Sequence, residues 1–422
     1  MHEVSVPTKG PSGSILPRVL LLIFALVVGL GLCEALLRLV TREPAELSLL
    51  RGSDFQEIYL EPDPQLGVVR RPNLDLYFRF EERPSGFIHF QTNNLGLRRI
   101  EPTGPPSGAV QRVLVLGDSQ IDGSVDNQEN VCSLLEARLN AAGRRFEVLN
   151  AATGSYSPYQ SFLWYRSRGV ALSPRLVLFT VFLGNDLAEL VAPGRPRLKA
   201  ESGGFQEVPG TDDFARRMQT RNSPSAWTAA KFFLLQNSVL FGRMASLAGG
   251  SAVQAPGPMG AAYRNCIGCT GQSLGQIYWF KHHPGDLTAS LESLRELLGR
   301  LKDLTGQNRC RLAVLVLPTR LEVEPEQDGE RTQRTAEILG LSNDDLQLDR
   351  RLEADTVRIA RELGIATVDL GPLMAEHHRE TGESLYYQTD WHLNAAGHRF
   401  LAETLYEDVL HWGTDSVPAL RQ

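Results

Sequence analysis

Arg112-Val-Leu-Val-Leu-Gly117-Asp118-Ser119-Gln120-Ile-Asp-Gly123 is the stretch on which the reading of the fold turns. Val113 to Leu116, with Arg112 leading in, is a run of buried-strand type that ends on Gly-Asp-Ser, and a second glycine follows four residues after the serine. Such a run puts a hydroxyl at the carboxyl end of a parallel strand, the edge where open α/β sheets carry their active sites. Ser119 is therefore a candidate nucleophile, which then requires a base, an orienting carboxylate and oxyanion donors from elsewhere in the chain. Taken alone, the same residues also read as a strand-to-helix turn with Ser119 as the helix N-cap.

Downstream, strand and helix patterns alternate. Strands are expected at Val113–Leu116, Phe146–Leu149, Leu176–Phe182, Leu312–Leu317 and Ala366–Val368. Helices are expected at Val131–Ala142, Pro158–Arg168, Leu287–Leu304, Asp349–Leu363 and Ala395–Leu410. This alternation implies an α/β fold of three layers, α/β/α, around a mainly parallel sheet. One interruption, about 190–285, is rich in Gly, Pro, Ser and Ala and reads as an insertion beside the active-site edge, a lid or a substrate-contacting subdomain.

Upstream, residues 1–16 are polar and rich in Gly, Pro and Ser, the composition of a disordered tail. Val19 to Cys33 is apolar or Gly throughout and continues past Glu34 as Ala35-Leu-Leu37. With ~20 residues needed to cross a bilayer, 17–41 reads as a transmembrane signal anchor. No small-x-small cleavage site follows the run, and Leu32 is too large for the position before a lipoprotein cysteine. Glu34 and Arg38 stand at i,i+4 and are expected to pair. The basic flanks, Lys9 and Arg18 before, Arg38 and Arg42 after, do not set the orientation. Residues 42–110 form a connecting region in which Leu74–Phe80 and Phe87–Thr92 read as two strands around the turn Arg83-Pro-Ser-Gly86.

A net charge of −6 with scattered Arg and Lys gives no footprint for a nucleic acid. Among the five cysteines only Cys266 and Cys269 are close. With His282 and His283 they could be written as a zinc set, but the adjacent histidines lack ligand spacing, so a disulfide or two plain thiols is preferred.

Three further segments carry candidate chemistry. Asn150-Ala-Ala-Thr-Gly154-Ser-Tyr-Ser-Pro158 follows the second strand; Gly154 could bring a backbone N–H to a ligand, or the segment is a turn capped by Ser157. Gly184-Asn185-Asp186 follows the third strand, and the Asn185 amide could donate to an oxyanion or simply form a turn. Gln388-Thr-Asp390-Trp391-His392 precedes the last helix. A neutral histidine of pKa ~6.5 suits proton abstraction, and a nearby carboxylate can hold its tautomer. Nine histidines in the chain make a chance Asp-x-His unremarkable by itself.

Taken in order, these four segments resemble the blocks of the SGNH superfamily of hydrolases, the GDSL-type esterases. The resemblance covers about 111–412 without the insertion and implies an SGNH hydrolase domain at 111–415 with a flavodoxin-like sheet. It implies Ser119, His392 and Asp390 as a catalytic triad, Ser119, Gly154 and Asn185 as the oxyanion hole, and no metal or cofactor. Thr92-Asn-x-Leu95-Gly-x-Arg98 and Leu317-Pro-Thr-Arg320 resemble a membrane-anchored bacterial subgroup, whose catalytic domain would be extracytoplasmic, in the periplasm or at the cell surface.

Two departures stand out. Gln120 replaces the common Leu or Phe, which points to a different substrate fit. Asp390 and His392 are one residue apart, as in relatives that acetylate exopolysaccharides such as alginate. The expected activity is ester hydrolysis on a carbohydrate or small acyl ester. The alternatives are O-acyl transfer to an envelope or secreted polysaccharide, or a non-catalytic binding protein on the same fold. Trp391 could line an acyl or sugar subsite or belong to the core.

Overall fold

The computed structural model describes residues 15–41, 59–210 (apart from 81, 108, 109, 142 and 144), 234, 238–241, 244 and 274–412 (apart from 327, 328 and 389). The chain divides into two compact units, Met1–Leu49 with Ser225–Gln254, and Leu50–Pro224 with Ala255–Gln422. Cys266 and Cys269 lie outside the described residues.

In the first unit, α1 (Ile15–Thr41) contains a stretch, Leu16–Val40, long and apolar enough to cross a membrane, with most of its leucines and valines exposed. Arg38 Nε donates to Glu34 Oε1 at 2.7 Å, the i,i+4 pair expected. The same carboxylate also accepts from Ser238 Oγ at 2.8 Å and from the N–H groups of Val239 and Leu240, each at 2.9 Å.

The second unit opens with two antiparallel pairs, β1 (Leu60–Asp63) with β2 (Gly67–Arg70) and β3 (Asp75–Arg79) with β4 (Phe87–Gln91). The central sheet begins at β5 (Gln111–Leu116), which runs into the short helix α2 (Ser119–Asp122). There follow α3 (Val131–Ala141), β6 (Phe146–Asn150), α4 (Pro158–Trp164), β7 (Leu176–Phe182) and α5 (Asp186–Glu189). The interruption in the alternation holds an antiparallel hairpin, β8 (Arg197–Glu201) with β9 (Gly204–Val208). The alternation then resumes with α6 (Pro284–Gln307), β10 (Arg311–Leu317), α7 (Leu348–Glu362), β11 (Ala366–Asp369), α8 (Leu370–Thr381) and α9 (Ala395–Trp412).

The five central strands are all parallel, in the order β11-β10-β7-β5-β6. Because side chains alternate across a strand, Val113 and Val115 face a core built with α3, α8 and α9, while Leu114 meets Gly169 on the opposite face. All seven residues of β7 are buried, as a strand covered on both sides demands. α3 buries Val131, Cys132, Leu135 and Leu139, one helical stripe. α6 starts three residues before the expected Leu287, because Pro284 is compatible with a first helical turn. α4 ends at Trp164, short of the expected Arg168, where the chain widens into a π turn over Tyr165–Gly169. In chain order the strands run second, first, third, fourth, fifth, so the direction of winding reverses between β5 and β7. A crevice outside the carboxyl ends is left at such a switch point.

Candidate active site

Gly117 leaves β5 under tight packing, since a Cβ there would lie 3.2 Å from Thr180 Cβ. Asp118 then caps α2, its Oδ1 accepting the Gln120 N–H at 3.0 Å. The cap is thus Asp118 and not Ser119, which leaves the half-buried serine hydroxyl for another partner. It donates to His392 Nε2 at 2.8 Å. His392 Nδ1 in turn donates to Asp390 Oδ1 at 2.5 Å. A carboxylate only accepts, so that bond assigns the tautomer and makes Nε2 the acceptor for the serine.

The loop carrying Asp390 and His392 is held from several sides. Arg320, buried, donates to Gln388 O at 2.6 Å, which gives the Leu317-Pro-Thr-Arg320 segment its place in the site. The Asp390 N–H donates to Glu82 Oε1 at 2.7 Å, and the Tyr387 N–H to His392 O at 2.8 Å. Trp391 has φ +66°, a left-handed backbone that costs a non-glycine residue ~1–2 kcal/mol. Its indole N–H donates to Gln388 O at 2.8 Å and its ring is buried, so it belongs to the loop's packing rather than to an open subsite. Gln120 is buried as well. Its Oε1 accepts the Leu393 N–H at 3.0 Å and its Nε2 donates to Trp391 O at 3.4 Å. Its side-chain amide is engaged by the histidine loop, so the departure at residue 120 is spent on that loop.

Gly154 and Asn185 follow the carboxyl ends of β6 and β7, the edge at which Ser119 leaves β5. The Thr153 N–H donates to Gly117 O at 3.2 Å and docks the Gly154 loop on the nucleophile turn. The Gly154 N–H, however, donates to Asp122 Oδ2 at 3.0 Å. The donor expected to face an oxyanion is thus taken in this structure by a carboxylate one helical turn beyond Ser119. Glycine at 154 answers a steric need, since a Cβ would run into the Tyr59 hydroxyl. Asn185 Nδ2 donates to Glu189 Oε1 at 3.3 Å, which uses one of the two N–H donors of the amide. Arg195 ties these loops together. Its guanidinium donates to Glu189 Oε1 at 3.0 Å, to Gln160 Oε1 at 3.1 Å and to the Ser155 carbonyl.

The connecting region reaches beneath the nucleophile helix. Arg70, at the end of β2, pairs with Asp122 Oδ1 at 2.8 Å and donates to Asn150 O at 2.6 Å. Arg98, fully buried over the Phe90 ring, donates to the carbonyls of Asp122, Gly123 and Val125. Those carbonyls lie at and just beyond the end of α2, where Gly123 turns the chain at φ +85°, so Arg98 satisfies acceptors that a helix end leaves open. The arginine of Thr92-Asn-x-Leu-Gly-x-Arg98 is thus a strut for the Ser119 turn. Sequence reading did not single out Arg70, Asp122, Glu82, Glu189 or Arg195, because each takes its place only through a partner distant in the chain or through the fold of a loop. Only Asp122 left a trace, inside the Gly-Asp-Ser stretch.

Burial alone would lower the His392 imidazole, but Asp390, with Asp118 and Asp122 beyond it, overrides burial and raises it to about 8. Burial would raise Asp390; the charge and hydrogen bonds of His392 lower it instead. On the Asn185 side, burial pushes Asp118 up to about 6 and Glu189 up to about 7, the latter against the pull of Arg195. Asp186 is raised well above the carboxylate range by burial and by these two neighbours. An imidazole poised near neutrality against a serine hydroxyl is an arrangement suited to acyl transfer.

No protein-family model matches the chain, and no curated protein matches it. Solved structures similar to it include an acetyl xylan esterase, AlAXEase, at 11% identity and TM-score 0.38, covering 71% of this chain and 99% of that one. Another is a catalytic mutant of an acetylxylan esterase from Geobacillus stearothermophilus, at 11% identity and TM-score 0.36, covering 71% and 94%. A third is an alpha/beta hydrolase enzyme from the metagenome of Lake Arreo, Spain, at 12% identity and TM-score 0.35, covering 72% and 95%. These are distant likenesses, and they leave the chemistry of this chain to its own side chains.

Proposed function

We propose that this chain is a serine-dependent ester hydrolase acting on carbohydrate or small acyl esters. The observation that carries this reading is the unbroken series Ser119–His392–Asp390 at the strand end beside the switch point. Ser119 Oγ attacks the ester carbonyl carbon while its proton passes to His392 Nε2. Asp390 steadies the imidazolium. The Ser119 N–H and the Asn185 amide hold the oxyanion, and Gly154 adds its N–H only if Asp122 releases it. The imidazolium then protonates the departing alkoxide. Water, giving a proton to His392, attacks the acyl-serine, and the imidazolium returns that proton to Ser119 Oγ as the bond to serine breaks and the free acid leaves. The test is turnover by the full chain in detergent on a p-nitrophenyl ester series and on acetylated oligosaccharides. Absence of release from every ester would overturn the reading.

A second reading, O-acyl transfer, rests on the one-residue spacing of Asp390 and His392. A sugar hydroxyl would replace water, and an oligosaccharide acceptor should then gain the acyl group at the expense of free acid. A non-catalytic binding role would show as failure of Ser119 to react with a fluorophosphonate. With α1 as a retained anchor oriented as in the membrane-anchored subgroup that the sequence resembles, the catalytic unit would stand outside the cytoplasm; cleavage of that unit by protease added to intact cells checks this.

The pH dependence has a definite sign. The base must be neutral, and its pKa in the folded chain is raised to about 8. kcat/KM should therefore climb ~10-fold per pH unit below that value and level off above it, rather than breaking at the ordinary ~6.5. A profile flat from pH 6 to 9 would contradict this. Arg195→Ala should lower kcat ~10–100-fold, short of the ~10²–10³ for deleting an oxyanion donor outright, because it loosens both loops without removing a donor. Steady-state kinetics beside the wild type reads the effect.

A further inference from the structure

We propose that Gln120 is the positioning residue that holds His392 in line with Ser119, and that it makes the one-residue spacing of Asp390 and His392 workable. The proposal rests on the serine–histidine reading above. Gln120 adjoins the nucleophile on α2, and its side chain spans to the far end of the chain. It meets the two peptide groups that bracket His392: the Trp391 carbonyl before it, at 3.4 Å, and the Leu393 N–H after it, at 3.0 Å. The amide orientation follows from these partners, since the carbonyl oxygen must face the N–H and the NH₂ must face the carbonyl. Main-chain bonds at Tyr387 N–H and Asn394 N–H hold the flanks of the loop but do not touch those two groups.

The backbone between them needs holding. Trp391, the single residue separating acid from base, stands at φ +66°, where an L side chain is seldom found. Unheld, this residue would relax to an extended backbone and turn His392 away from Ser119. A primary amide of this length offers a donor and an acceptor without a charge. Leucine offers neither and would leave the buried Leu393 N–H unsatisfied. Glutamate offers only the acceptor. The residue after the nucleophile and the shortened spacing are thus two halves of one device. One reaches out from the serine turn; the other is the strained loop it grips.

The test uses the full chain in detergent, carrying Gln120→Leu, Gln120→Glu or Ser119→Ala. For Gln120→Leu, kcat on p-nitrophenyl acetate should fall ~10–100-fold, the scale of a catalytic group displaced by about 1 Å. KM should stay within ~3-fold, as expected when only transition-state positioning is lost. Fluorophosphonate labelling should slow in step, and the downfield proton resonance of His392 Nδ1–H should broaden or vanish while circular dichroism stays native. Gln120→Glu, which keeps shape and acceptor, should fall between Leu and wild type. Wild-type kcat together with an unchanged His392 resonance in Gln120→Leu overturns the proposal. If Gln120→Leu does not fold, Gln120→Glu decides: a several-fold loss with an altered resonance supports the proposal, and no change in either overturns it. If the wild type itself shows no Ser119-dependent turnover or labelling, the esterase reading fails. The resonance comparison between wild type and Gln120 variants still decides whether Gln120 holds the loop.

Discussion

Ser119→Ala is expected to abolish ester turnover, lowering kcat by about 10⁴–10⁶-fold while leaving KM within a few-fold. Among the described residues the serine side chain makes one hydrogen bond, to His392 Nε2, so removing its Oγ deletes the attacking atom and disturbs little else there. What remains is water attack aided by any oxyanion donors, which in comparable serine enzymes leaves ~10³–10⁴-fold over the uncatalysed rate. His392→Ala should cost about as much, and the double variant hardly more, because attack and proton removal are one event. Burst-phase release of p-nitrophenol, together with fluorophosphonate labelling, checks this directly. A Ser119→Ala chain with full turnover would remove the mechanism. Thermal melting should scarcely move, which separates loss of chemistry from loss of fold.

Arg70→Met is expected to have the largest effect on stability, lowering it by about 3–5 kcal/mol. The Arg70 and Asp122 side chains are 2% and 7% exposed and meet at 2.8 Å. Taking away the guanidinium strands a buried carboxylate, and it also removes the donor to Asn150 O at the end of β6. Arg98 Nη1, 4.0 Å from Asp122 Oδ1, and the Gly154 N–H continue to face the carboxylate, so the lower half of that range is the better expectation. In a unit of this size each kcal/mol shifts Tm by ~1–2 °C. Combining Arg70→Met with Asp122→Leu should recover part of the loss, since it is the unpaired charge that costs most. Urea unfolding of the two variants reads both numbers. A loss below ~1 kcal/mol for Arg70→Met would be the mark of a solvated surface pair instead.

How much was legible in the sequence differs from element to element. The strand at Val113–Leu116 and its neighbours stand where the apolar runs put them, because a strand covered on both faces needs uninterrupted apolar residues. The stripe Val131, Leu135, Leu139 marks its helix by periodicity alone. Boundaries were less legible at 158–169, where the widening of the helix into a π turn is not encoded in apolar spacing. The hydroxyl, imidazole, carboxylate and amide were legible as residue types at strand ends, since loops at that edge of an α/β sheet have few other reasons to carry them together.

What only the tertiary structure decided is who meets whom. Strand order depends on which helices cover which face, a sum of many weak contacts that no local run of residues contains. It placed β5 beside β7 and so brought Ser119 to the same edge as Asn185. The Gly154 N–H was a donor in the sequence reading, but a carboxylate brought within 3.0 Å of it decides where it points. Gln120 looked like a change at the substrate's door. It is instead a buried bracket, because its partners are main-chain groups about 270 residues away, and hydrogen bonds to the backbone leave no mark on the identity of the residues that make them. The sequence alone determined the layers of the fold and the stock of reactive groups. Packing determined their pairing, since a buried polar group must find a partner wherever the folded chain provides one.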